Sequence, residues 1–388
     1  MSQKLYARTY LKNNKKRVAT LIISLTLCVA LNYLTAFLLN ISVKTVEPVC
    51  TEVPKVMQYV SYHYVNTLLG DDAEYETREE AIELFNKELK NVAQKIENEC
   101  DKVQKVFCAK AIDGACGALF ATWYFEGALL DKDDIPLYLD FYDAKLIEGR
   151  MPSAAGEVLI DSQTMKNNGY KIGDPVEYYT IYTIVGVVES DLNLICGTPH
   201  PDHSDVDCMF IFSEGIEDLQ SELSEIGIEL NDKNMYWTDY KTQYHDFNHN
   251  VVDAIDGSTK IVYIGIVILM CIALSVIYIT FLRDRHSEWC LYASIGYSRK
   301  AIYFSILREL LFTFIVSLIS GAVITVIAVL LIDLLYIKPN GLRCEYLSFV
   351  TIKNVLLDFL VFFAILQLPV RYALYRIKTI DALGNDLY

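Results

Sequence analysis

The segment Arg285-His286-Ser287-Glu288-Trp289-Cys290-Leu291-Tyr292-Ala293-Ser294-Ile295-Gly296-Tyr297-Ser298-Arg299-Lys300 is charged and amphipathic, yet it stands between two long apolar runs. Ile306-Leu307-Arg308-Glu309 follows after five more residues. An anchor needs only one span, whereas a helix pinned between two spans can carry a push from a soluble partner. Working outward, a spanning helix needs about 20 predominantly apolar residues, and four segments qualify: 18–43, 261–282, 310–337 and 349–370. The first follows Lys12, Lys15, Lys16 and Arg17 as a signal peptide would. Its apolar run exceeds the roughly 7 to 15 residues of a signal core, and no small-x-small cleavage site comes after it. It reads as a span.

Composition agrees with a part-membrane, part-aqueous chain. Its 388 residues are 53% hydrophobic and 21% charged, with a mean hydropathy of +0.26, too apolar for an ordinary soluble protein and too charged for an all-membrane one. Orientation follows from the basic segments: Lys4, Arg8, Lys12, Lys15, Lys16 and Arg17 in the tail 1–17; Arg283, Arg285, Arg299 and Lys300 in 283–309; Arg371, Arg376 and Lys378 in the tail 371–388. All three are expected on the cytoplasmic side. The domain 44–260 and the short loop 338–348 are then extracytoplasmic, in a multi-pass protein of the cell membrane, surrounded by lipid.

The net charge is −15, and acids gather in the outer domain at Asp71-Asp72-Ala73-Glu74, Asp131-Lys132-Asp133-Asp134 and along 214–229. Such a field attracts cations and cationic peptides and repels nucleic acid; solvation of a surface domain is the plainer use of the same charges. Of ten cysteines, Cys344 falls in the short outer loop and Cys50, Cys100, Cys108, Cys116, Cys196 and Cys208 in the domain 44–260. An even count there suggests disulfides, with 15 pairings open. Cys196 with Cys208 is the first candidate, because the pair brackets a loop between two strand-like runs; the other four are further candidates. Closing that loop is worth roughly 3 kcal/mol in the chain-entropy picture.

Periodicity in the outer domain alternates between helix and strand. Ala81, Leu84, Phe85, Leu89, Val92 and Ile96 predict an amphipathic helix over 76–100. A second helix is expected from Ser213 as N-cap, with Ile216, Leu219, Leu223 and Ile226 on one face. Strand signals lie at 158–160, 178–188 and 209–212, with turn signals at Asn168-Gly169 and Gly173-Asp174. The fold class is therefore an α-helical membrane protein with four transmembrane helices and an α+β extracytoplasmic domain between helices 1 and 2.

Two windows carry a family resemblance. Arg285-x-x-Glu288, Ser294-Ile295-Gly296-Tyr297-Ser298-Arg299-Lys300, Leu307-Arg308-Glu309 and Ser320-Gly321 resemble the FtsX-like permease domain of ABC transporters. Glu148-Gly149-Arg150-Met151-Pro152, Gly156-Glu157-Val158, residues 169–174 and Tyr182-Thr183-Ile184-Val185-Gly186-Val187-Val188 look like the extracytoplasmic core of MacB-type permeases, and Ile377-Lys378-x-x-Asp381-Ala382-Leu383 fits the end of such chains. The resemblance implies a homodimer, or a pair with a second homologous permease, whose cytoplasmic coupling helix docks on an ABC ATPase and relays motion outward. It places Arg285, Glu288, Trp289 and Leu291 on or near the ATPase-facing helix, Gly296 at its end, and Arg299 and Glu309 in the coupling segment. No G-x-x-x-x-G-K-[ST] loop occurs in the chain. ATP and Mg are accordingly expected in a partner ATPase, with no cofactor bound by this chain.

Other chemistry is sparse. His200, Asp202 and His203 form the only metal candidate by composition, and their spacing matches no established motif, so no metal is expected. No G-x-S-x-G elbow, H-E-x-x-H helix or Cys/His nucleophile signature is present, which argues against an enzyme. Among acids near or in the spans, Glu309 is expected to pair or to sit at a helix end, and Asp333 and Asp358 are expected at the interfaces. Three functions fit. The first is an exporter permease moving a peptide (an antimicrobial one included), antibiotic or lipid-like substrate. The second is an FtsX-like signalling module that switches an outer enzyme such as a wall hydrolase. The third, an adhesion receptor, leaves the coupling helix without a task.

Overall fold

The first apolar run continues as helix well past its apolar end. In the computed structural model, which describes residues 15–62, 68, 69, 75–119, 121–201, 206–230 and 235–375, helix α1 spans Lys15–Thr51. It outruns the expected span 18–43 because Val46, Val49 and Cys50 recur at helical spacing and are buried in a core of the outer domain. The acidic run 71–74, most of the N-terminal basic tail and the C-terminal motif 377–383 lie outside the described residues. Contacts divide the chain into a membrane unit, comprising the chain up to Leu38, Gly257–Asp333 and the chain from Glu345, and an outer unit of Leu39–Asp256 and Leu334–Cys344.

The outer unit is a sheet with helices on it. After the short α2 (Val53–Val56) come β1 (Met57–Tyr62), α3 (Arg78–Glu99), β2 (Val103–Ala118), β3 (Ala121–Leu129), α4 (Ile135–Phe141), β4 (Lys145–Gly149), β5 (Glu157–Asp161) and α5 (Ser162–Asn168). They are followed by β6 (Pro175–Tyr178), β7 (Thr180–Glu189), β8 (Ile195–Gly197), β9 (Cys208–Ser213), α6 (Leu219–Glu225), β10 (Met235–Thr238) and α7 (Tyr240–Asp246). The strand order is β10-β1-β9-β2-β3-β8-β5-β7-β4, with β6 paired to β7. β2 is the spine: its first half pairs with β9 and its second half with β3. Alternating side chains of β2 therefore serve different cores. Val106 packs under α3 with Phe85, Leu89 and Ile96, Phe107 packs under α4 with Tyr138, and Ile112 and Cys116 pack against α1.

Local chemistry sets the helix starts. Thr77 caps α3, its hydroxyl accepting from the Glu80 N–H at 3.2 Å, while the Glu80 carboxylate reaches back to the Glu76 N–H at 2.9 Å. Ser213, expected as a cap, is the last residue of β9, where Gln58 accepts its hydroxyl proton at 2.6 Å; Asp218 caps α6 instead. The expected strand 178–188 is two strands, broken at Tyr179, whose φ of 50° makes a tight turn.

Among the described residues, the membrane unit holds four helices long and apolar enough to span: the first part of α1, α8 (Asp253–Arg283), α10 (Arg299–Ile332) and α11 (Phe349–Tyr375), with α9 (His286–Ser294) between α8 and α10. α10 begins eleven residues before the expected span 310–337, so 299–309 is helical and continuous with the apolar run that follows it. Small residues let α1 and α10 meet closely. A Cβ on Gly321 would lie 2.7 Å from Val29, and the Ser317 hydroxyl donates to the Ile22 carbonyl at 3.2 Å. Asp358 is not simply interfacial: it accepts from Asn32 Nδ2 at 2.8 Å and from the Tyr263 hydroxyl, tying three spans together. Asp333 is buried as well. A carboxylate in hydrocarbon is costly, and turning it toward donors on neighbouring helices lowers that cost.

Candidate functional site at the hairpin between spans

α9 and its turns form a hairpin with two unlike faces. Arg285, at the N-cap of α9, is 4% exposed. Its Nη1 donates to Glu309 Oε2 at 2.5 Å and its Nε to Glu288 Oε2 at 3.2 Å. The other oxygen of Glu288 accepts from the Tyr292 hydroxyl at 2.8 Å. The guanidinium also lies 5.4 Å from the Trp289 ring centre and 5.7 Å from that of Phe281. Burial and the bond to Glu288 push the Tyr292 hydroxyl up to about 12, so it is a donor at any ordinary pH. A buried cation is tolerable only with such complete pairing.

The opposite face is open. Leu291 and Ile295, four residues apart on the helix, are 55% and 64% exposed, and Arg299, at the start of α10, is exposed too. Gly296 has φ +99° with nothing within 4 Å of where a Cβ would stand, so the glycine serves the reversal rather than a close contact. Ser298 then caps α10 through the Ala301 N–H at 3.2 Å. Of the residues expected to face a partner, Leu291, Gly296 and Arg299 lie on the outer side. Arg285, Glu309 and the 1%-exposed Trp289 are turned inward, and Glu288 bridges the two.

A second arginine site was not foreseen. Arg343, in the outer loop, donates from Nε to Gln163 Oε1 at 2.7 Å and from Nη2 to the Asp191 carbonyl at 2.8 Å. Its own N–H meets the Thr45 hydroxyl at 3.0 Å. A Cβ on Gly341 would stand 2.4 Å from the Gln163 carbonyl oxygen, and Asn167 donates to the Asn340 carbonyl at 3.3 Å. The loop is thus seated on α1 and α5 within the outer unit. Burial holds the Arg343 guanidinium below its ordinary value. The Pro339-Asn340-Gly341 turn signal and a lone arginine in a short outer loop were its only traces in the sequence.

The expected disulfides are absent: Cys50, Cys100, Cys108, Cys116, Cys196 and Cys208 are all unbridged. For the favoured pair the reason is topological. Cys196 lies on β8 and Cys208 on β9, with β2 and β3 between them, about 14 Å at ordinary strand spacing against a limit of about 7 Å between bridged Cα atoms. Burial pushes the Cys196 thiol up to about 12 and raises Cys208 as well, so neither is a reactive thiolate at neutral pH. Asp202 and His203 of the metal candidate lie outside the described residues. Among the described residues no group of three or more His, Cys, Asp and Glu is placed to hold a metal.

The outer motifs around Arg150 and Glu157 are one clamp. Arg150 donates two bonds to the Glu157 carboxylate, one of them 2.7 Å, and Glu157 also accepts from the Ser153 and Ala154 N–H groups at 2.8 and 3.1 Å. Arg150 foremost holds the Glu157 carboxyl down at about 2.

Residues 260–382 match the model of the FtsX-like permease C-terminal family. No protein of curated function matches the chain in sequence. Among solved structures, the periplasmic region of MacB from Actinobacillus actinomycetemcomitans is similar at 11% identity and a TM-score of 0.25, covering 52% of this chain and 98% of that one. The extracellular domain of the noncanonic ABC-type transporter YknZ from Gram-positive bacteria matches at 13% and 0.24, covering 47% and 100%. A domain of a putative permease protein from Porphyromonas gingivalis matches at 16% and 0.21, covering 38% and 80%.

Proposed function

With residues 260–382 an FtsX-like permease C-terminal domain, we propose that the chain is the permease subunit of an ABC transporter whose ATPase is a separate polypeptide docking on the hairpin 284–298. The observation that carries this reading is the two-faced hairpin. A locked charge network inside makes α9 rigid with the spans, while Leu291 and Ile295 stand exposed, as does Arg299 at the start of α10. Exposed apolar anchors rimmed by charge are what a protein partner buries. The hairpin then lies in the cytoplasm with both chain termini, and ATP and Mg belong to the partner.

In this role the chain moves no proton and makes no bond. Arg285, Glu288 and Glu309 keep α9, α8 and α10 as one body, so displacement of α9 is passed to the spans rather than absorbed at the turns. A second permease, either a copy of this chain or a homologue, completes the pair that one ATPase dimer engages. The load is export of a peptide, antibiotic or lipid-like substrate, with a cationic peptide favoured by the acidic outer unit.

Leu291→Glu tests the docking face without touching the network. Expected is loss of ATPase co-purification in mild detergent while thermal unfolding stays within about 0.5 kcal/mol of the parent, as for other surface changes. Undiminished co-purification with Leu291→Glu rejects the face. Glu288→Lys is expected to leave the complex assembled but ATP hydrolysis unresponsive to substrate. In the reconstituted complex, stimulation of hydrolysis by cationic peptides supports export, and stimulation only by a wall-hydrolase partner supports the signalling role.

A further inference from the structure

A cleft of about 670 Å³ opens on the membrane unit between α8 and α11. Ile279 and Leu282 of α8 and Ile365 and Leu368 of α11 wall it. Ser275 and Arg283, at its two ends on α8, are separated by about 12 Å of helix at 1.5 Å per residue, so the cleft runs along the helices and not across them. Ile279 and Leu368 are 51% and 64% exposed, which leaves the groove open along its side.

The basic side chains are confined to one end. Arg283 and His286 both line the cleft where α8 gives way to α9, and no acidic side chain is among its lining residues. Arg283 is exposed and makes no ion pair among the described residues. Pro369, also lining the cleft, withdraws the N–H that would bond the Ile365 carbonyl. An apolar groove parallel to the spans, closed at one end by an unneutralised cation, matches the outline of one lipid: an acyl chain along the walls and an anionic headgroup at the base.

We infer that this cleft binds a single anionic phospholipid, with its phosphate at Arg283 and His286 and an acyl chain between α8 and α11. The occupant is not a second copy of the chain packed span against span. The acids of the spans, Glu309, Asp333 and Asp358, are buried or bonded within their own bundle, so such a copy has none of them to offer Arg283. The inference rests on the functional reading in one respect, that this end of α8 meets the cytoplasmic leaflet, where anionic lipid is concentrated. Because His286 opens α9, a lipid seated there also touches the base of the docking hairpin.

The test is native mass spectrometry of the full chain, delipidated in detergent and titrated with phosphatidylglycerol or phosphatidylcholine. One phosphatidylglycerol should be retained at least about five-fold better than phosphatidylcholine, the selectivity that one basic side chain confers near a membrane surface. Arg283→Gln should erase that selectivity, and Ile279→Trp, filling the groove from an exposed wall position, should expel both lipids. Equal retention of the two lipids, or selectivity that survives Arg283→Gln, overturns the headgroup assignment. Retention unchanged by Ile279→Trp overturns the cleft as the seat. High-yield self-crosslinking of Ile279→Cys in membranes puts a second copy there and overturns the inference as a whole. None of these outcomes bears on ATPase co-purification through Leu291, so the two readings fail separately.

Discussion

Two connections between spans, the hairpin 284–298 and the outer loop 338–348, each tie down an arginine, buried at Arg285 and half-buried at Arg343, and each turn on a glycine at positive φ. They satisfy the arginine in opposite ways. Arg285 is neutralised by Glu309, which the chain supplies 24 residues later on the following span, and is bonded again by Glu288. Arg343 is held by neutral oxygens, a side-chain amide and a backbone carbonyl. An ion pair in a buried setting is nearly all-or-none, because removing either partner strands the other. An arginine on neutral acceptors is a removable plug, since what remains after its loss is dipoles that water can reach. The hairpin is held by paired charges, and the outer loop by hydrogen bonds to neutral acceptors.

The sharpest challenge to that contrast is Glu309→Leu. It strands Arg285 and is expected to cost about 3 to 5 kcal/mol in thermal unfolding of the detergent-solubilised chain, with Arg285→Met/Glu309→Leu recovering most of it. An additive double mutant would mean that the two side chains do not form a unit. Next comes Arg343→Met, at about 1.5 to 3 kcal/mol for bonds from a charged donor, with increased proteolysis of 338–344 as its specific sign. If Arg343→Met costs as much as Glu309→Leu, the distinction between pair and plug is lost. Gly296→Ala follows, costing roughly 1 to 2 kcal/mol for backbone conformation alone, whereas Gly341→Ala should cost more because backbone atoms of Gln163 and Asn167 crowd its Cβ position.

The last test lies outside both loops and serves as their control. Glu126 and Asp113 face each other across β2 and β3, and burial foremost pushes the Glu126 carboxyl up to about 7. An acid raised in the folded state favours folding while protonated. Its contribution is therefore present below the ordinary glutamate range and is lost as pH rises from about 4.5 through about 7. Glu126→Gln should flatten the melting temperature across that window, while Arg343→Met should leave the slope unchanged.

Much of this was legible in the residues. Apolar length gave the four helices, and 3.6-residue periodicity gave α3. Arg285, Glu288 and Glu309 could be singled out in the hairpin, though not their pairing with one another. What the sequence could not show was facing: Arg285 and Trp289 sit four apart and suit either side of α9. Both turn inward because Glu309 and Glu288 take the guanidinium and the Trp289 ring lies 5.4 Å from it. Helix ends were misjudged because apolar runs mark hydrocarbon, not helix, and α1 continues on side chains that a sheet buries. The cysteine pairing failed because the order β9-β2-β3-β8 is fixed by contacts far apart in the chain, invisible to any local window. Arg343 was missed since its partners, Thr45, Gln163 and Asp191, are scattered over three remote segments.

The bond from Asn32 to Asp358 closes a separation of 326 residues. At synthesis rates of about 5 to 20 residues per second, Asn32 waits tens of seconds in the bilayer before its acceptor exists. The membrane bundle is therefore finished only after translation is nearly over, and until then the first span carries an exposed amide that any other helix in the membrane can borrow. Biogenesis of this chain should be most vulnerable in that interval, when a chaperone for membrane segments has something definite to shield.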